Sequence, residues 1–161
     1  MDGAHDMNDR IDRKLAELGL TLPAPAAPVA SYLPAVEAGG MLYLSGQLPF
    51  KDGALMTGRL GETVDLAFGQ EAALRCALML VAQMKAALGG FHRIERIAKL
   101  GVFVNSAGDF TDQAKVANGA SDLLFALFRD AGRHARSAVG VPVLPLGVAV
   151  EIDAIVQIAS A

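Results

Sequence analysis

In the segment 148–156, Val148, Val150, Ile152, Ala154 and Val156 occupy every second position, with Glu151 and Asp153 between them. A period of two is that of a β-strand whose successive side chains point to opposite faces. One face of this strand is wholly aliphatic and must be covered, while the other carries two carboxylates. A chain that ends this way has to build a sheet and then supply something to lay over it. Two stretches with helical spacing are candidates for the cover. Within 66–88, Leu74, Ala77, Leu78, Val81, Met84 and Leu88 fall on one stripe, and Gly89-Gly90 follows as a C-terminal cap. Val116, Ala120, Leu123, Leu124, Leu127 and Ala131 form a second stripe that ends near Gly132, with Ser106 or Asp109 placed to cap its start.

The remaining segments fit around these. Asn8 to Leu18 carries Ile11, Leu15 and Leu18 at helical spacing, with Asn8 or Asp9 as the cap. Leu22 to Pro34 holds four of the seven prolines and is expected to be extended. Strands are predicted over Met41–Gln47, Ile97–Asn105, Ala135–Val143 and Val148–Ile158, and Asp52-Gly53 is a turn signal. No internal repeat, low-complexity tract or linker interrupts residues 1–161, which read as one domain with an N-terminal extension over residues 1–28. The predicted class is α+β, a mixed sheet with two long helices packed on one of its faces.

Composition narrows what such a domain does. Apolar residues make up 53% of the 161 positions, and mean hydropathy is +0.38. One small domain has too little interior for that much apolar surface, so self-association is expected. Fourteen scattered Lys and Arg residues against a net charge of −3 disfavour a nucleic-acid surface, which needs clustered positive charge. No apolar run approaches the ~20 residues of a membrane span. The N-terminus has no basic segment leading into an apolar one, so no signal peptide is expected and the reading is of a cytoplasmic protein. Cys76 is the single cysteine and sits in a helical stretch, as a buried structural thiol would. His92 and Glu95 have weak spacing for a metal site, and neither a P-loop nor a dinucleotide fingerprint is present. No metal and no cofactor is expected.

Two residues carry candidate chemistry. Glu151 lies amid aliphatic residues, where a carboxylate has to be solvated, paired or functional. Judged alone it reads as part of an outward polar row. Arg136 opens the strand at Ala135, and its planar fork suits a carboxylate ligand. An edge-strand salt bridge or a solubilising charge is the plainer reading.

The segments Ala135-Arg136-Ser137-Ala138-Val139-Gly140-Val141, Leu144-Pro145 and Val150-Glu151-Ile152-Asp153-Ala154-Ile155, taken with Leu44-Ser45-Gly46-Gln47-Leu48-Pro49, resemble the signature of the RidA/YjgF family of reactive-intermediate deaminases. Val102-Phe103-Val104, Asp109-Phe110, Asn118 and Tyr32 fall where that family has similar residues, so the resemblance runs from Tyr32 to the end. It implies a chorismate-mutase-like fold of the bacillus type, a homotrimer with clefts between subunits, and cofactor-free hydrolysis of 2-enamino and 2-imino acids to 2-keto acids and ammonia. Arg136 would hold the substrate carboxylate and Glu151 would activate water. Tyr32, Ser45, Gly46, Asn118 and Ala138 would line the pocket. The chain departs from the pattern where Ala138 replaces a frequent cysteine and where Ser31 precedes Tyr32 in place of proline, and it is longer, with its N-terminal helix and added residues between Phe110 and Asn118. Two other functions suit the same resemblance: a small-carboxylate-binding or regulatory trimer without turnover, and, less well matched to the acidic balance, an endoribonuclease or translation inhibitor.

Overall fold

The computed structural model describes residues 3–25, 27 and 31–161. Helix α1 (Gly3–Glu17) leads into strands β1 (Ala35–Ala38) and β2 (Met41–Gln47), then a small hairpin of β3 (Phe50–Lys51) and β4 (Ala54–Leu55). Helix α2 (Leu66–Leu88), strand β5 (Ile94–Asn105), helix α3 (Gln113–Phe128), strand β6 (Ala135–Val141) and strand β7 (Val150–Ile158) follow. Five strands form one sheet in the order β1-β2-β7-β5-β6. Only β5 and β6 run parallel, joined by the α3 crossover, and the other pairs are antiparallel. The class is the expected α+β, with a mixed sheet and its helices on one face.

The alternation in the last strand does what its period requires. Val150, Ile152 and Val156 are fully buried and Ala154 nearly so, all facing the helices; the strand begins at Val150, and Val148, expected within it, lies before it and bridges Thr57. Leu42 and Leu44 of β2 and Leu100, Val102 and Val104 of β5 share that face by register. The reverse face is bare: Tyr43, Val36 and Val139 are each about half exposed on it.

Helix α2 runs over residues 66–88 as its stripe predicts. Asp65 caps its start by accepting from the Phe68 N–H at 2.9 Å, and Gly89 closes it in the left-handed conformation. Its burial is wider than one stripe. Every residue from Cys76 to Met84 is buried, because the helix packs on the sheet and on α3, and residues of the N-terminal extension lie against its remaining side. Ile11 and Leu15 of α1 are buried, Lys85 pairs with Asp12 at 3.1 Å, and Thr21–Pro23 lie beside Leu78 and Met79. Helices α2 and α3 touch backbone to side-chain root at Gly119, where any Cβ would strike the Gln70 carbonyl.

Several expectations are corrected. Helix α1 starts earlier than Asn8, and Asn8 is no cap; its side-chain oxygen accepts the Phe91 N–H at 2.7 Å and so ties α1 to the turn after α2. Helix α3 starts at Gln113 without a side-chain cap, and it ends at Phe128, before a short 3-10 turn over Arg129–Gly132. The Ser106 hydroxyl donates instead to the Val104 carbonyl. Strand β1 was not anticipated, since Ala35-Val36-Glu37-Ala38 is too short and too exposed to show a period. The described part of 22–34 contains no helix or strand, and the rest of that stretch, 26 and 28–30, lies outside the described residues. The last two strands, β6 and β7, are not neighbours: β5 runs between them.

Candidate functional site

The Ser45-Gly46-Gln47 segment ends β2 in a local irregularity of register against β7. Each residue there has a distinct physical task. The Ser45 hydroxyl donates to the Leu33 carbonyl at 2.7 Å, and the Ser45 N–H to the Pro34 carbonyl at 3.0 Å. This anchors the segment that carries Tyr32, a residue 53% exposed. Gly46 leaves room for Glu151, since a methyl group at that position would overlap the Glu151 carboxylate. Gln47 is buried, and its amide donates to the Ser45 carbonyl at 3.0 Å, which holds the irregular backbone in place. Buried Gln83 of α2 lies 3.4 Å from the Gln47 side-chain oxygen.

Glu151 sits on the bare side of β7, in register with Phe103 of β5, which in turn faces Val139 of β6. Partial burial, and after it the charge of Asp153 two residues on, push the Glu151 carboxyl above the usual carboxylate range. A carboxylate whose charge is poorly stabilised takes up a proton more readily, as a general base must.

Arg136 belongs to another surface. It is in register with Leu100 of β5 and, through it, with Ala154 of β7, so it projects toward the helices. There its guanidinium lies along α3. Nη1 donates to Asn118 Oδ1 at 2.9 Å and to Ser121 Oγ at 3.0 Å, and Nη2 donates to the Ala114 carbonyl at 3.2 Å. A guanidinium has five N–H groups. Three are committed to α3, which leaves Nε–H and one N–H of Nη2, the adjacent pair that a carboxylate can bridge. Ala138, two residues along β6, packs partly buried against the core on the same face.

The sequence-predicted residues therefore sort into two groups. Tyr32, Ser45, Gly46 and Glu151 gather around the end of β2 and the bare sheet face. Arg136, Asn118 and Ala138 gather between β6 and α3. Within one chain the two groups stay apart, because β5 runs between the strands of Arg136 and Glu151 and their side chains leave the sheet on opposite faces. Sequence reading also passed over Ser121. Its signal was available: Ala114, Asn118 and Ser121 are spaced by four and three residues, one face of a helix.

Beside Arg136 lies an open cleft of about 420 Å³ lined by Ser121, Asp122, Phe125, Arg133 and His134. Cys76 is fully buried with its sulfur 3.5 Å from the Val150 carbonyl, and burial drives its thiol well above the usual range, which suits a core residue. Among the described residues no group of three or more His, Cys, Asp or Glu side chains is placed to hold a metal, and no helix is long and apolar enough to cross a membrane.

Comparison with known proteins agrees with this architecture. The chain is 52% identical over 151 residues to Protein TCP17 of Trypanosoma cruzi, covering 92% of this chain and 94% of that one. The crystal structure of Atu1372, a protein of unknown function from Agrobacterium tumefaciens, superposes with a TM-score of 0.91 at 46% identity, over 97% of both chains. The YjgF gene product of E. coli superposes with a TM-score of 0.60 at 30% identity, over 85% of this chain and 94% of that one. The family model described as "YjgF/chorismate_mutase-like, putative endoribonuclease" matches residues 12–156. With a fold that agrees with that match, the chain is a member of the YjgF/chorismate mutase-like family.

Proposed function

We propose that the protein hydrolyses reactive 2-imino acids, and their 2-enamino tautomers, to 2-keto acids and ammonia, at a site completed by two copies of the chain. The observation that carries this reading is the Arg136 fork, with three N–H groups held by α3 and two adjacent ones left for a planar acid. A carboxylate that sits there presents the neighbouring imine carbon at a fixed distance.

Glu151 supplies the base. Water adds to the carbon of the N-protonated imine while one of its protons passes to the Glu151 carboxylate, which gives a neutral carbinolamine. Glu151 returns that proton to the amine nitrogen, the C–N bond breaks to release ammonia, and the hydroxyl proton passes to the Glu151 carboxylate as the C=O bond of the keto acid forms; the ammonia carries that proton away as ammonium. The imine carbon is already electrophilic, so orientation and one proton carrier suffice.

Since the two groups leave one sheet on opposite faces, the reading requires Arg136 of one copy to meet Glu151 of another. The fold offers a means. Strand β6 is a sheet edge with its outer side unpaired, and the face that carries Glu151 is bare and studded with Tyr43, Phe103, Ile155 and Val139. Edge-to-face contact joins unlike surfaces, and such contacts make a ring when the rotation between copies closes. A ring of three matches the family resemblance.

Ammonia and keto-acid release from 2-aminoacrylate generated in situ is the test. Arg136→Ala is expected to lower kcat/KM at least ~100-fold, and Arg136→Lys nearly as far, since a point charge cannot replace the fork. Undiminished turnover in Arg136→Ala removes the assignment. The separation of Arg136 from Glu151 favours one second reading, a carboxylate-binding assembly without turnover. Ligand binding that survives Glu151→Gln, with no wild-type hydrolysis, selects it.

A further inference from the structure

We propose that Ser121 and His134 are positioning residues for Arg136: a directed chain from the Gly132 carbonyl through the His134 ring and the Ser121 hydroxyl decides which N–H groups of the guanidinium face a carboxylate ligand. The inference rests on the reading of Arg136 as a carboxylate anchor and adds its control.

For a neutral His134 ring the contacts admit one proton arrangement. His134 Nδ1 lies 2.7 Å from the Gly132 carbonyl, which can only accept, so Nδ1 carries the proton. Arg136 Nη1 can only donate, so at 3.0 Å the Ser121 oxygen accepts from it. His134 Nε2 and Ser121 Oγ are 2.9 Å apart, and the Nε2 lone pair of a neutral ring accepts the Ser121 O–H. Every link is then satisfied, and the serine oxygen is turned toward the guanidinium. With Nη1 thereby occupied by Ser121 and Asn118, the ligand is left the Nε and Nη2 side.

Protonation of His134 breaks this order. Nε2–H and Nη1–H would then both point at one hydroxyl oxygen, the serine proton would lose its acceptor, and two cations would stand about that oxygen. The surroundings oppose that state. Burial first, and the charge of Arg136 as well, hold the His134 pKa below its ordinary value, although the bond to Gly132 works the other way. The other charged groups near the ring are Asp122 of α3, which lines the same cleft, and Arg133 from the preceding turn. Arg133 stacks on the Phe125 ring at 4.8 Å and pairs with exposed Asp130 at 3.3 Å. The chain is therefore complete at neutral and alkaline pH and fails only in acid.

Two measurements test this. Long-range ¹H–¹⁵N NMR of the wild-type protein at neutral pH should report the Nδ1–H tautomer of His134; the Nε2–H tautomer overturns the proposal outright, whatever the variants do. Calorimetric binding of 2-ketobutyrate, a non-reacting acid, is the second. Ser121→Ala and His134→Phe should weaken it about tenfold, with Ser121→Thr recovering most of the loss. Wild-type affinity should fall as pH drops below 6.5, the ordinary histidine value, and this dependence should vanish in His134→Phe. In turnover, the Ser121→Ala loss should fall more on KM than on kcat. Unchanged affinity in Ser121→Ala, or a pH dependence that persists in His134→Phe, refutes the positioning role. If Arg136→Ala binds the acid as well as wild type does, the anchor reading itself has failed.

Discussion

At the scale of single residues, the site depends on one missing side chain. Gly46 lets the Glu151 carboxylate lie against β2, and the clash made by any Cβ falls on that carboxylate rather than on backbone. Gly46→Ala should therefore displace Glu151 at little expense in folding. We expect kcat to fall at least ~10-fold in the deaminase assay while the denaturation midpoint moves by less than about 1 kcal/mol equivalent. Glu151 also sets a sign for stability against pH. Its folded pKa lies above the unfolded value, so the native state binds more protons between the two, and stability declines as pH rises through that window. His134 acts in the opposite direction along the scale. Its folded pKa lies below the ordinary value, so the stability it lends is whole above that value and is lost as pH falls through the window.

At the scale of elements, the chain was most legible where a period was long and unbroken. Helix α2 matched its expected bounds because Asp65, the apolar stripe and Gly89 all agree, and the β7 alternation fixed both its faces. Legibility failed where a side chain served a distant partner in place of its own helix. Asn8 resembles a cap, yet its oxygen satisfies the Phe91 N–H, 83 residues away in sequence, beside a ring that is fully buried and set edge-on to Phe128 at 6.0 Å. Asn8→Ala leaves that N–H without its acceptor, and a loss of about 1–2 kcal/mol in urea denaturation is expected, with α1 loosened before the rest. Pairing of Arg136 with Ser121, and the strand order that parts Arg136 from Glu151, are likewise facts of the crossover. No local pattern along the chain encodes which strand a crossover places in the middle.

At the scale of the whole molecule, part of the apolar surplus lies on one face of the sheet. Tyr43, Val36 and Val139 lie on the face opposite the helices, together with the half-buried Phe103 and Ile155, while the interior is filled by α2 and its two covers. The sheet's single-sided cover explains that part of the exposed apolar surface, while the still more exposed Leu33, Val143 and Leu146 lie outside the strands. Placement of Arg136 and Glu151 on opposite sides of one sheet has a genetic consequence. Two inactive alleles, Arg136→Ala and Glu151→Gln, each retain what the other lacks, so co-refolded mixtures should regain roughly a quarter of wild-type activity at equal dose, the share of random junctions that unite an intact donor with an intact acceptor. Mixtures as silent as their parents would mean that each subunit works alone.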